Sequence, residues 1–302
     1  MSATNTLARS VTVAQLFLRN MPLAGAGGVA TEPAFSIGDW VRQFILAPPF
    51  AWRWNRTATA FLTVAGVQDY VLTNWAASTS VAVGTIYIDP SGFQQQVTTA
   101  GITGASAPAV WNPTLAGTTT DNTATWTNKG TVGLTTALVN FGWLEKSSWK
   151  DGTTRTQELQ VALDLSEDQA QNPPVHIAAR LDSGTGNITF RLLPPPDKAY
   201  IVTMTYQKAA ATFAALTETW SPIPDYFSYL CNQGFAAKAY EYFGDERFPV
   251  SMAMFVRQVI AANEGLSESQ KNIFLGERLN TQRETQSSQG KTQTATTGRS
   301  ML

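Results

Sequence analysis

Histidine occurs once in this 302-residue chain, at position 176, and cysteine once, at position 231. Any Ser-His-Asp or Cys-His arrangement must therefore use His176, because a hydroxyl or thiol nucleophile needs a base within hydrogen-bond reach. His176 falls in an alternating strand pattern at 175–181, and Cys231 in the middle of a helical pattern far along the chain. A thiol protease is thus not expected; the imidazole reads as a sheet residue and the thiol as buried packing. One His and one Cys also exclude the usual zinc sites. Glycosidases need only two carboxyl groups across a cleft, and Asp164, Glu167 and Asp168 cluster in DLSEDQ, while Asp245 and Glu246 precede Arg247. Both runs have the look of solvated turns. Gly25, Gly27 and Gly28 suggest a phosphate loop, but the lysine and Ser/Thr of that motif are missing and no strand precedes it. Trp52 and Trp54, interleaved with Arg53 and Arg56, could stack on bases. The commoner use of such a cluster is packing at a helix-to-strand junction, with arginines over indole faces. No catalytic, cofactor-binding or metal-ligating residue is assigned.

Composition narrows the class. Charged residues make up 14% of the chain, low against roughly 25% in ordinary domains, which favours a surface-rich structural protein over a metabolic enzyme. The formal net charge of −1 supplies no basic field to neutralise phosphates, so a sequence-specific DNA binder is not expected. A single cysteine permits no internal disulfide. With no long apolar run and no signal pattern at the N-terminus, synthesis in a cytoplasm and no membrane partner are expected.

Two kinds of element must position whatever the protein uses. Residues 10–21 predict a short helix capped by Ser10 or Thr12, with Val13, Leu16, Phe17 and Met21 on one face. A second helix over 36–46 carries Ile37, Trp40, Val41, Phe44 and Ile45 at helical spacing and stops at Pro48-Pro49. From Thr57 the period changes to two: 57–64 and 67–72 predict a hairpin turning at Ala65-Gly66. Short strands resume at 139–145, 157–163, 175–181, 188–193 and 200–207, which argues for an antiparallel sandwich or barrel. The stretch 73–131 differs, with Trp75, Tyr87, Phe93, Trp111 and Trp126 spread among Gly, Thr, Ser and Ala. It reads as a small inserted β module whose aromatics form a minimal core, or of which Trp75, Trp111 and Trp126 are platforms for sugar rings.

The longest helical signal lies at 220–275. Ile223-Pro224-Asp225 gates the entry, because proline has no N–H to lose at a helix start and Asp225 suits the positive end of the dipole. Gly234, Ala236, Ala237 and Ala239 keep the first helix thin, so neighbours are expected to enclose it. Pro249 starts the next, striped by Met252, Phe255, Val256, Val259 and Ile260. Ser267 with Gln270 fits a capping box for a last helix, and the polar residues from 281 are expected to be disordered in isolation. The expected fold class is α+β: an antiparallel β-sandwich or barrel body (57–72 and 132–208), a helical domain from both termini (1–56 and 209–280), the inserted β module (73–131) and a C-terminal tail (281–302).

Several stretches together resemble the head-to-tail adaptors of tailed bacteriophages, the tail tubular protein A class of podophages. They are DWVRQFILAPPFAWRWN, AFLTVAGVQDYVL, FGWLEK, ITFRLLPPPDKAYIVTMTYQK and WSPIPDYFSYLCNQGFAAKAYEYFGDERF. The similarity covers roughly 10–72 and 132–280. The insertion GTIYIDPSGFQQQVTTAGITGASAPAVW resembles the carbohydrate-binding-like β modules that decorate phage structural proteins. The resemblance implies no enzyme and no cofactor but a virion component at the head-tail junction: a ring, dodecameric in that family, through which double-stranded DNA passes. Its implied partners are further copies of itself, the portal protein and a tail or nozzle protein, the tail from Thr281 ordering on the portal. Trp40, Phe44, Tyr226, Tyr229, Tyr240, Met252 and Phe255 are the expected assembly surface. Two other functions compete: a glycan-binding virion decoration using Trp75, Trp111 or Trp126, and a virion-associated cell-wall hydrolase.

Overall fold

The computed structural model describes residues 5–18, 32–133, 138, 140–152, 155–181 and 187–274. The glycine-rich 25–28, most of the turn after Leu181, and the tail from 281 lie outside them. The chain divides into two compact units, one built from the residues up to Asn55 together with those from Ala209, the other from Arg56–Lys208.

Among the described residues the first unit holds the helices α1 (Leu7–Gln15), α2 (Glu32–Leu46), α3 (Ser228–Tyr242) and α4 (Phe248–Ala262), with a further helical stretch near its end. α1 starts earlier than its pattern predicts. Thr6 caps it by accepting from the Arg9 N–H at 3.4 Å, and the buried face is Leu7, Ser10, Val11 and Ala14. Leu16 and Phe17, expected inside, are 66% and 56% exposed, because the stripe that meets α3 runs through 7, 11 and 14 and turns 16 and 17 outward. α2 buries Ile37, Val41 and Ile45 as its spacing predicts. Trp52 folds back on its end, donating its indole N–H to the Ile45 carbonyl at 2.8 Å. The buried Arg42 guanidinium ties α2 to the segment before α3: it donates to the carbonyls of Ser221 (3.2 Å) and Ala211, pairs with Asp39 (3.3 Å), and lies 3.7 Å over the Phe213 ring.

α3 is enclosed as expected, with contacts to α1, α2 and α4 and Leu230, Cys231, Gly234, Phe235, Ala237, Ala239 and Tyr240 buried. At Gly234 the packing leaves no room for a side chain: a Cβ there would lie 2.6 Å from Phe255 and 2.8 Å from Val41. Proline in the first turn opens α4. After it the Ser267 capping box forms, Gln270 N–H to Ser267 Oγ at 3.3 Å and Ser267 N–H to Gln270 Oε1 at 2.9 Å, and residues 268–274 are helical.

The second unit holds β1 (Arg56–Leu62), β2 (Asp69–Leu72), β3 (Ser80–Val81), β4 (Ile86–Ile88), β5 (Phe93–Thr99), β6 (Gly101–Ile102), β7 (Thr118–Asp121), β8 (Ala124–Thr131), β9 (Phe141–Lys150), β10 (Thr156–Ala162), β11 (His176–Leu181), β12 (Ile188–Leu193) and β13 (Ile201–Lys208). Eleven form one sheet, ordered β1-β13-β9-β10-β11-β12-β2-β4-β5-β8-β7, and β3 pairs with β6. Most neighbours are antiparallel; β10–β11 and β2–β4 are parallel, so the sheet is mixed. By strand pairing, the described part of 73–131 joins the body's sheet at β2–β4, Leu72↔Ile86, and β5, β8 and β7 extend the same sheet.

The sheet folds over on itself as a sandwich-like body and is not closed into a barrel by strand pairing. Phe61 on β1 packs 4.7 Å from Tyr70 on β2 and 6.2 Å from Phe190 on β12, ring centroid to centroid, although those strands lie far from β1 in sheet order. Where β5 approaches the β1 edge, the buried Gln94 side chain stands in for a strand. Its Oε1 accepts from Leu62 N–H at 2.7 Å and its Nε2 donates to Leu62 C=O at 3.2 Å.

The expected hairpin of 57–64 with 67–72 does not form. The turn exists, with Gly66 at φ 77°, but β1 pairs with β13 and β2 with β12. The Tyr70 hydroxyl takes the backbone groups of the turn instead, accepting from Val64 N–H at 3.0 Å and donating to Val67 C=O at 2.8 Å. That frees the strands to diverge into opposite layers.

Candidate functional site

The single imidazole and single thiol belong to different units. His176 opens β11, half-buried, opposite Leu193. Cys231 is fully buried in α3, and burial pushes its thiol far above the ordinary range, which keeps it protonated. The carboxylates of DLSEDQ lie in a loop held down by arginines. Arg180 pairs with Asp164, and Arg191 pairs with Asp69 at 2.6 Å and reaches Glu167 at 3.9 Å. Both guanidiniums also donate to the Leu165 carbonyl, at 3.0 and 3.2 Å. The hydrogen bond from Arg180 holds Asp164 below the usual carboxylate range. In the turn between α3 and α4, Arg247 donates to Asp245 at 2.8 and 2.5 Å and lowers that carboxyl to about 2. Both shifts run opposite to what a general acid at neutral pH requires. Among the described residues no three His, Cys, Asp or Glu side chains converge to hold a metal ion.

The aromatic-basic cluster packs as a junction. Trp52 and Trp54 lie 5.4 Å apart and both meet Phe227. The arginines, expected over indole faces, reach carboxylates: Arg53 pairs with Glu264 at 3.3 Å and Arg56 with Glu145.

Three of the expected assembly residues are interior. Tyr240, Met252 and Phe255 are 7%, 5% and 0% exposed, because α3 and α4 turn these side chains into the core of their own unit. Trp40 and Phe44 are half-buried and stack at 5.3 Å, with Phe44 also against Phe255 at 5.2 Å and the Lys238 ammonium 4.5 Å over Trp40. Tyr226 and Tyr229 are exposed, as are Tyr242, Val250 and Met254. The last three lie on faces of α3 and α4 that point away from the core. No stripe in the sequence marks them, since each is set by which side of its helix found a neighbour.

The three candidate sugar platforms have different fates. Trp126 is fully buried and packs edge-on to Trp111 at 5.7 Å and Tyr87 at 6.3 Å. These rings form the minimal core of 73–131, and Trp126 cannot present a face. Trp111 is half-buried in that cluster. Trp75 is half-buried too, but its indole N–H is fixed by Asp121 Oδ2 at 2.8 Å, and it lines a cleft of about 610 Å³ between 73–131 and the body. Asp121 also takes the Trp126 indole N–H at 3.3 Å and the Gly104 N–H at 2.7 Å. The cleft is completed by Thr85, Thr103, Ser80, Asn140 and Phe141, among others. Residues from separated segments meet here, so no spacing in the sequence announces the site.

Fold and site together define an α+β protein with a helical unit and a folded mixed sheet, holding a neutral cleft and no catalytic constellation among its described residues. Compared with known families and curated proteins, the chain matches no family model and no curated relative.

Proposed function

We propose that the protein is a non-enzymatic head-to-tail connector of a tailed-phage virion. Copies assemble into a ring, a dodecamer as in the adaptors it resembles, between portal and tail or nozzle protein. Double-stranded DNA passes through without being read. The observation that carries this reading is the organisation of the chain: a helical unit made from both ends of the chain, interrupted by a β unit at Asn55/Arg56 and Lys208/Ala209. That is the order of elements on which the resemblance rests. It is supported by Tyr226, Tyr229, Tyr242, Val250 and Met254, large side chains left exposed on a unit whose core is already filled; such groups mark contact surfaces. The near-zero net charge suits a lumen along which DNA slides without adhering.

The test is native mass spectrometry and particle imaging of the full chain, alone and with its portal. A closed ring, or a ring completed on the portal, is expected. Tyr226→Ala with Tyr229→Ala should weaken assembly while leaving the thermal melt of the protomer unchanged. A monomer at every concentration that also ignores the portal overturns the proposal. Residues 281–302 are assigned a portal contact, so truncation at Thr281 should reduce portal binding; unchanged binding removes that part alone.

A further inference from the structure

We propose that the outer flank of α4 receives the 225–229 corner of a second copy of this chain, head to tail. The proposal rests on the connector reading for there being a ring, and names the two surfaces that meet in it. One is the entry to α3. Tyr226 and Tyr229 are 66% and 47% exposed, and both rings rest on the buried Phe227, at 4.3 and 6.3 Å between centroids. Phe227 is itself wedged against Trp52 and Trp54, so the two tyrosines stand on a rigid base. Rigid amphipathic rings lose little freedom on binding and carry much of the energy of interfaces. The other surface is the side of α4 turned away from its core stripe. Val250, Met254 and Arg257 recur there at i, i+4 and i+7, all exposed, which places them on one face of the helix.

Charge makes a second copy the occupant. Asp225 is exposed beside the two tyrosines; its Oδ1 accepts the Asn5 N–H at 3.0 Å, and no cation among the described residues pairs with it. Arg257 is exposed beside Met254, and no carboxylate among the described residues pairs with it. Other carboxylates of the helical unit, Asp39, Glu241, Asp245, Glu264 and Glu268, each hold an arginine or lysine of their own chain. Asp225 and Arg257 are thus opposite charges left over, each next to exposed apolar side chains, and they do not meet within one chain. A neighbouring copy supplies each with what it lacks, Asp225 of one against Arg257 of the next. A foreign partner would have to bring a basic group for one surface and an acidic group for the other, whereas a second copy carries both. The apolar parts match as well, because a methionine thioether packs favourably against aromatic rings and Val250 adds aliphatic area. Since the two surfaces are unlike, each copy gives one and receives one, and the contact propagates from copy to copy until the rotation closes it. The charges fix the register, because a slipped contact loses its pair or sets like charges together.

The experiment is native mass spectrometry of the full chain over a concentration series, with and without the portal. Arg257→Glu and Asp225→Lys, each alone, should raise the concentration needed for half-assembly about tenfold or more. Mixed one to one, the two variants should recover most of that loss, since every contact in an alternating assembly then joins opposite charges. Tyr229→Cys mixed with Met254→Cys should give a disulfide-linked dimer under mild oxidation, and neither variant should cross-link with itself; the buried Cys231 does not compete. Should Asp225→Lys fail to fold, because its carboxylate holds the Asn5 N–H, Arg257→Glu and the cross-link still decide. Assembly indifferent to the charge reversals, a mixture that is not rescued, or no cross-link between the two cysteine variants overturns this contact, and a ring that still forms leaves the connector reading standing. A dimer that grows no further means that the surfaces pair reciprocally, which overturns the head-to-tail arrangement. A wild-type chain that stays monomeric alone and with the portal overturns both proposals. Assembly through this contact by a chain that ignores the portal sustains the contact and overturns the connector.

Discussion

Gln94 is fully buried and closes two backbone groups of Leu62 that no strand reaches. Removing it strands a buried donor and acceptor, so Gln94→Ala should cost about 2 kcal/mol or more. The half-buried Gln96→Ala should cost a fraction of that, both measured by urea unfolding of the full chain. The second residue-scale effect is the Asp245–Arg247 pair. A carboxyl lowered to about 2 by Arg247 favours the folded state above the ordinary aspartate value, near 3.9. That contribution is lost as pH falls toward about 2, because the unfolded chain takes up the proton first. In a carbon-detected titration Asp245 should ionise near 2, and Arg247→Ala should return it to the ordinary range. A midpoint unmoved by that substitution rules out Arg247 as the cause.

Between elements, α3 approaches its neighbours tightly at Gly234, which lies against Phe255 of α4 and Val41 of α2. Alanine is the better helix former by about 1 kcal/mol, but its methyl group would overlap both neighbours, and overpacking of that kind costs about 1–3 kcal/mol. Gly234→Ala should therefore lower the melting temperature, and Gly234→Ala combined with Val41→Ala should recover part of the loss. An unchanged or raised melting temperature in the single variant would mean that the helices can separate freely. The helical stripes of α2 and α4 were legible because a long amphipathic pattern has one way to bury itself. The pattern of α1 points too far along the chain, since a nine-residue helix has too few turns for its pattern to choose between two overlapping registers.

For the whole molecule, the ends of the β unit lie side by side: Arg56 pairs with Gln207 across β1 and β13. An insertion joined to its host at adjacent strand ends should fold without it. Residues 56–208 expressed alone should give a folded, cooperatively melting protein, read by near-ultraviolet circular dichroism; a molten product would show that the helical unit is needed. The sequence by itself determined the α+β class, the switch from helical to strand period near Thr57, the enclosed character of α3 and the scarcity of catalytic side chains. Those follow from local periodicity and residue type, which neighbours in the chain fix. Only the tertiary structure decided that β1 and β2 part company, that Phe255, Met252 and Tyr240 are core, and that Trp126 is buried while Trp75 faces a cleft. Each depends on which distant strand or helix covers a given face, and apolar residues carry no mark of whether that cover comes from their own chain or from a partner.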